Sequence, residues 1–352
     1  MYPLVPCSRL RKASLSHRLW NQSDRWVELR HTRSRIFSET PQTNMRYTVL
    51  AASIAAMHAL DMSSAPFVQR PQLGAHRASM LIAQAGAVAA PPLLALPLDG
   101  FNGAVAAGEK KANMPADKIF HLGILSGAHI GFGAFLMLSI GGACPGLAAT
   151  NPGLQKIVLG AFGLPFGLMM TLLSGGELFT GNTALVTMAL LEGKATMGQL
   201  IKSWSASFAG NFVGSVLLAV LVFYGNTLSG GGASIAVSAA KTSLTFTQAF
   251  VRGVLCNWLV TMAVYLASFA KDTAGKMVPI WFCISSFVAL GLEHSIANMF
   301  IIPLGIFSGA AVSWPTFLLK NLLPVTLGNT FGGAVCVALA FCMAYGKLGK
   351  KE

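Results

Sequence analysis

The sequence predicts an all-α integral membrane protein, with six transmembrane helices in two inverted three-helix repeats and helices 2 and 5 broken. Three observations carry this. Of 352 residues, 54% are apolar and only 11% charged, against roughly 25% charged in soluble domains. Uncharged stretches recur, and Ile119 to Cys144 alone runs 26 residues, more than the ~20 that span a bilayer as helix. Two short motifs also recur, one copy in each half, at nearly equal spacing.

The net charge of +13 invites a nucleic-acid partner, but its distribution argues against one. Residues 1–118 hold 14 basic and 7 acidic groups, and the remaining two thirds hold 11 and 5. A soluble enzyme is excluded on the same ground. Residues 1–44 are Arg- and Ser-rich without apolar periodicity, a basic extension that cannot bury enough surface to order itself. Met45-Arg46 then starts an apolar run, Tyr47 to Met57, followed by small residues at Ser63-Ser64-Ala65 and by Pro66-Phe67. Behind it lies a stretch with Arg70, His76, Arg77 and Ser79 and no acid until Asp99. This order resembles the bipartite plastid leader of algae with secondary plastids, so residues 45–100 are expected to be a targeting leader and Met45 a candidate start. A single mitochondrial or plastid presequence, or a secretory signal leading to the plasma membrane, is the alternative. Residues 101–117, mixed in Ala and Gly, read as a linker, 118–346 as the six-helix membrane domain and 347–352 as a basic tail.

Within that domain residues 119–144, 203–224, 253–270 and 321–346 read as uninterrupted spans. Regions 155–191 and 277–308 are each interrupted by an acid, at Gly175-Gly176-Glu177 and Gly291-Leu292-Glu293-His294. An even number of spans puts both termini on one side. Ten lysines between Lys110 and Lys351 fall there, against Lys156, Lys241 and Lys320, with Arg252 nearby, on the other. That asymmetry predicts termini on the positive, inner side.

The repeat is explicit. Glu177 precedes Asn182 by five residues, as Glu293 precedes Asn298. Gly210-Asn211-x2-Gly214 recurs as Gly328-Asn329-x2-Gly332, 34 residues after the first glutamate and 36 after the second when counted at the asparagines. Halves of three spans insert with opposite orientation, and in such folds the binding site lies where paired broken helices meet. Lipid cannot satisfy the backbone groups of a broken helix, so the breaks must face protein or a water-filled cavity. Half-helix N-termini there favour an anion. Glu177 and Glu293 are expected to cap the breaks by accepting backbone or side-chain hydrogen bonds, with Asn182 and Asn298 as further break-capping residues. His294 has Leu178 as its counterpart, and an ionisable residue at membrane depth is usually functional; its titration range suits proton exchange. Thr180, at the opposing break, offers a hydroxyl to a substrate oxygen or to the imidazole. Asn257 in span four either lines the path or bridges helices. The six cysteines show no C-x-x-C and no His pairing, and no phosphate-binding motif occurs, so neither a metal nor a cofactor is expected.

Several motifs resemble those of the formate/nitrite transporter family. They are Gly176-Glu177-Leu178-Phe179-Thr180-Gly181-Asn182, Gly291-Leu292-Glu293-His294-Ser295-Ile296-Ala297-Asn298-Met299-Phe300, Pro324-Val325-Thr326-Leu327-Gly328-Asn329, and Asn151-Pro152-Gly153 at the start of span two. The similarity covers residues 109–346. The resemblance implies an aquaporin-like protomer assembled as a homopentamer, each protomer with its own pore through the lipid bilayer. It makes His294 the central histidine, Thr180 its partner, Lys241 the pore lysine of a vestibule and Asn257 a pore asparagine. Leu168 and Phe287 fall at one apolar constriction and Leu178 at another. The substrates it implies are small monovalent anions, nitrite first and formate next, moving with protons. The leader points to the plastid envelope. Hydrosulfide is a third candidate for the same pore. An aquaporin-type neutral-solute channel predicts two Asn-Pro-Ala motifs, and the chain has only Asn151-Pro152-Gly153. A membrane enzyme using Glu293 and His294 lacks a nucleophile or metal partner, so the chain is read as no enzyme.

Overall fold

In the computed structural model the described residues are 94–228 and 232–349. The extension 1–44 and the leader up to residue 93 lie outside them. Where the sequence suggested a linker over 101–117, helix α1 (Pro97–Ala112) forms instead. Pro97 opens it at a position where a missing N–H costs nothing. Phe101, Ala104, Val105, Gly108 and Ala112 make its buried face at helical spacing. That face is built mainly from small residues, so its composition passes for a linker. At Gly108 a Cβ would collide with the Leu185 carbonyl, which is how closely α1 lies on the helix it covers.

The six spans follow. Span one is α2 (Ala116–Ile140). Span two comprises α3 (Pro152–Ala161), α4 (Leu164–Leu173) and the half-helix α5 (Phe179–Leu191). Its second interruption, at Phe162-Gly163, was not foreseen; it precedes Pro165 in the first turn of α4. Span three is α6 (Met197–Gly225), and helix α7 (Ala233–Thr242) leads to span four, α8 (Phe246–Ala267). Span five comprises α9 (Thr273–Ala289) and the half-helix α10 (Ser295–Phe307). Span six, α11 (Trp314–Tyr345), contains two π-helical stretches, Phe317–Leu322 and Gly332–Leu339. Equivalent starts use equivalent chemistry. Thr196 with Gln199 and Thr245 with Gln248 form reciprocal capping boxes at the N-termini of α6 and α8.

Packing repeats between the halves. Helix α2 lies along α6 as α8 lies along α11, α1 covers α5 as α7 covers α10, and α6 meets α10 as α11 meets α5. The unit is therefore two inverted repeats of three spans, each preceded by one short helix. Because lipid is as apolar as leucine, helix association relies on close packing and interhelical hydrogen bonds rather than on water exclusion. Gly210 and Gly328 show the first. A Cβ on either would strike a backbone oxygen of the facing helix, Phe120 and Phe250 respectively. Ser215 shows the second, its Oγ donating to the Gly127 carbonyl at 3.1 Å.

The half-helices explain where the site falls. At 13 residues each they extend about 20 Å at 1.5 Å per residue, short of the ~30 Å hydrocarbon core. Their N-termini therefore end inside it, facing each other from opposite sides.

Candidate functional site

Each break is built by the same parts. Gly175 and Gly291 take φ of +77° and +69°, a backbone region that side chains disfavour, and so turn the chain out of α4 and α9. After the turn, Glu177 N–H donates to the Leu122 carbonyl and Glu293 N–H to that of Arg252, both at 3.3 Å. The repeated asparagines hold the unwound strand from the far side. Asn211 Oδ1 accepts from Phe179 N at 2.9 Å, while its Nδ2 donates to the carbonyls of Gly123 (2.8 Å) and Glu177 (2.9 Å). Asn329 does the same with Ser295 N (2.8 Å), Gly253 O (2.9 Å) and Glu293 O (3.0 Å). The first backbone N–H of each half-helix is thus taken by a side chain of span three or six. The sequence showed Asn211 and Asn329 as a repeat without showing this function.

Of the two kinds of donor expected for the glutamates, backbone or side chain, both glutamates take side chains. Glu177 Oε2 accepts from Asn182 Nδ2 at 2.8 Å and Glu293 Oε2 from Asn298 Nδ2 at 2.7 Å. Their other oxygens take lysines: Lys111 Nζ reaches Glu177 Oε1 at 2.6 Å and Lys241 Nζ reaches Glu293 Oε1 at 2.9 Å. Lys111, read from sequence only as an orientation charge, is the counterpart of Lys241. A signal existed, since each lies five residues before the first residue of its span, Ala116 or Phe246. Ser203 and Asn321 complete the two networks, meeting Asn182 Nδ2 at 3.3 Å and Asn298 Nδ2 at 2.8 Å through their oxygens. Each stands eight residues before its repeated asparagine. Asn321 does more than Ser203. Its Nδ2 also donates to Glu293 Oε2 (3.2 Å) and to the Lys241 carbonyl (3.0 Å).

Between the breaks sits His294. It caps α10, its Nδ1 accepting from Ala297 N at 3.1 Å. A backbone N–H can only donate, so Nδ1 carries the lone pair and the neutral ring has its proton on Nε2. Nε2 lies 3.0 Å from Thr180 Oγ1, and Thr180 therefore accepts from the imidazole. The reading in which Thr180 donates to the ring is corrected by this tautomer. Proton release to a substrate from an imidazolium requires the Ala297 cap to open first. Phe287 stacks on the ring, centroids 5.8 Å apart and planes 27° off parallel.

Two cavities meet at this ring. An apolar one of about 10 Å³ is lined by Leu164, Leu168, Leu178, Ile284, Phe287 and His294, among others; it is at the threshold for holding a single water. The three residues that the sequence placed at constrictions all wall it. The other cavity, about 230 Å³, opens on the α7 side and is lined by Lys241, Arg252, Phe287, Glu293, His294 and Asn298 among others. Glu177, Asn182 and Lys111 belong to the opposite break and line neither. Asn257 lines neither as well. Its Nδ2 donates to the carbonyls of Thr180 (3.2 Å) and Asn329 (2.6 Å) and lies 2.9 Å from Thr183 Oγ1. It bridges α5, α8 and α11. Among the described residues no cluster of His, Cys, Asp and Glu is grouped to hold a metal.

A vestibule, an apolar neck and one buried polar ring between two broken helices define a membrane transport protein of the inverted-repeat class. A sequence model of the formate/nitrite transporter family matches residues 99–343, and the chain belongs to that family. It is 42% identical over 267 residues to a probable formate transporter of Methanothermobacter thermautotrophicus, covering 71% of this chain and 96% of the relative. It is 36% identical over 232 residues to the nitrite transporter NirC of Escherichia coli strain K12, covering 64% and 83%. Among solved structures, an FNT family ion channel superposes with a TM-score of 0.63 at 31% identity, covering 70% of this chain and 98% of that one. A pentameric formate channel with formate bound gives 0.57 at 29%, covering 66% and 98%. The family consists of transporters and channels, and the protein is an integral membrane transporter, not an enzyme.

Proposed function

We propose that the protein carries a small monovalent anion, nitrite first and formate next, across the plastid envelope, as a homopentamer with one pore per protomer and termini on the positive-inside face. The observation that carries this reading is the His294–Thr180 contact of 3.0 Å, set between the two breaks and reached through an apolar neck. Relatives named for formate and for nitrite both support the anion class, and the bound formate and pentamer of one structural relative support the assembly.

The physics is a desolvation problem. A bare anion entering a neck walled by Leu168, Leu178 and Phe287 loses hydration worth many kcal/mol. Leaving water raises its affinity for a proton, and the neutral acid then crosses at small cost. With the Ala297 cap open, His294 Nδ1 takes a proton from vestibule water, and Nε2–H, freed from Thr180 Oγ1, passes its own proton to one oxygen of the anion, leaving the ring neutral. The Lys241–Glu293 pair keeps the vestibule wall polar up to the edge of the neck. Proton and anion move together in either direction, driven by their gradients.

The test is His294→Ala in proteoliposomes, with nitrite and formate uptake followed at two pH values. The proposal predicts loss of the proton coupling or of its pH dependence. Unchanged coupling and unchanged pH dependence overturn the role given to the histidine. Fusing residues 45–100 to a fluorescent protein tests the address, and signal at the cell surface alone overturns the plastid assignment.

A further inference from the structure

Resting on that reading, we infer that Arg252 is the anion-capturing residue of the vestibule and that it selects planar anions presenting two oxygens over single-atom anions. Lys241 is the obvious cation there, but Glu293 Oε1 stands 2.9 Å from its ammonium, so the pair contributes no net charge. Arg252 lines the same 230 Å³ cavity. It is exposed, and no carboxylate lies within ion-pair distance of its guanidinium among the described residues. The vestibule's uncompensated positive charge is therefore this one group.

Its position is fixed by the break itself. The Arg252 carbonyl accepts the N–H of Glu293, the neighbour of His294, at 3.3 Å, so the backbone of Arg252 sits against the unwound segment. The corresponding acceptor for Glu177 is Leu122. The two halves match at Lys111 and Lys241, at Glu177 and Glu293, at Asn182 and Asn298, and at Asn211 and Asn329, but not here. With an arginine in one half against a leucine in the other, the guanidinium fork stands beside the break on the α7 side alone.

The chemistry of the group sets the ligand class. Guanidinium is a planar fork of N–H donors that pairs two oxygens at once, whereas ammonium is a point charge. Formate and nitrite are bent ions whose two oxygens match that fork. Hydrosulfide and chloride have one acceptor atom and cannot form its two parallel N–H···O bonds. Charge alone attracts all of them; the fork separates them.

The experiment compares wild type, Arg252→Leu, Arg252→Lys and Leu122→Arg as purified pentamers in proteoliposomes. Half-saturating concentrations and maximal rates are measured for nitrite, formate and hydrosulfide. Arg252→Leu is expected to raise the half-saturating concentration for nitrite and formate about tenfold, equivalent to about 1.4 kcal/mol, with maximal rates kept. Hydrosulfide shifts less. Arg252→Lys, which keeps the charge, is expected to restore hydrosulfide to its wild-type value while nitrite and formate stay impaired. Leu122→Arg is expected to lower the half-saturating concentration for the oxygen anions entering from the α1 side. Unchanged half-saturation in Arg252→Leu, or full rescue of nitrite and formate by Arg252→Lys, overturns the inference. Wild-type vesicles that move neither nitrite nor formate would instead refute the proposed function on which it rests.

Discussion

Replacing Lys111 by methionine removes one charge and leaves the Glu177 carboxylate, only 2% exposed, with Asn182 as its single remaining side-chain donor. Removing one partner of a buried ion pair typically costs about 3–5 kcal/mol, mostly because the surviving charge is stranded. Lys111 is itself 19% exposed, so water can enter where its ammonium stood, and the lower end, about 3 kcal/mol, applies. Glu177→Gln alone strands the lysine at this exposed end and should cost less, about 1–2 kcal/mol. In the double variant neither charge is left behind, so the two losses should fail to add by about 2 kcal/mol. The assay is a double-mutant cycle on the purified protein in detergent, unfolded reversibly with a denaturing surfactant. The same cycle on Lys241 and Glu293, joined at 2.9 Å with 16% and 4% exposure, should give a similar coupling. Losses that add to within about 0.5 kcal/mol would refute the claim that these pairs hold α1 and α7 to the breaks.

Three further outcomes follow from named contacts. Gly175→Ala and Gly291→Ala add a Cβ into open space but at positive φ, so each should cost only about 1–2 kcal/mol of backbone strain. Gly210→Ala drives a Cβ into the Phe120 carbonyl and should cost clearly more, with thermal unfolding of the purified protein ranking the three. Asn329→Leu strands the Ser295 N–H and two carbonyls and should lose about 2–4 kcal/mol, read as folded protein lost on size exclusion. His294→Asn keeps a good cap for Ala297 but loses the contact with Thr180, so the fold should stay intact while transport falls; equal loss of both would contradict the separation of cap and pore roles.

Much of this architecture was legible in the sequence because lipid permits few solutions. Uncharged runs of span length and two acids in otherwise apolar segments point to broken helices, and the paired Glu-x4-Asn motifs point to an inverted repeat. His294 stood out because Leu178 occupies the matching place. What was illegible depended on distance across the fold. Lys111 belongs to a helix whose small residues look like a linker, and its partner lies 66 residues away. Arg252 read as a charge at a span end, since only packing shows that Lys241 is already neutralised. Nor does sequence reveal which ring nitrogen of His294 carries the proton; that follows from the Ala297 N–H. The break at Phe162-Gly163 was hidden because residues 157–173 carry no charge to mark it.

A pH-sensitive dye sealed inside proteoliposomes, with nitrite or formate added outside, reports anion entry and proton entry together. If the anion crosses the neck as its neutral acid, the interior acidifies as uptake proceeds. Both rates should rise together as external pH is lowered, above those of protein-free vesicles. Saturable uptake of either anion with no internal acidification would contradict passage in the protonated form.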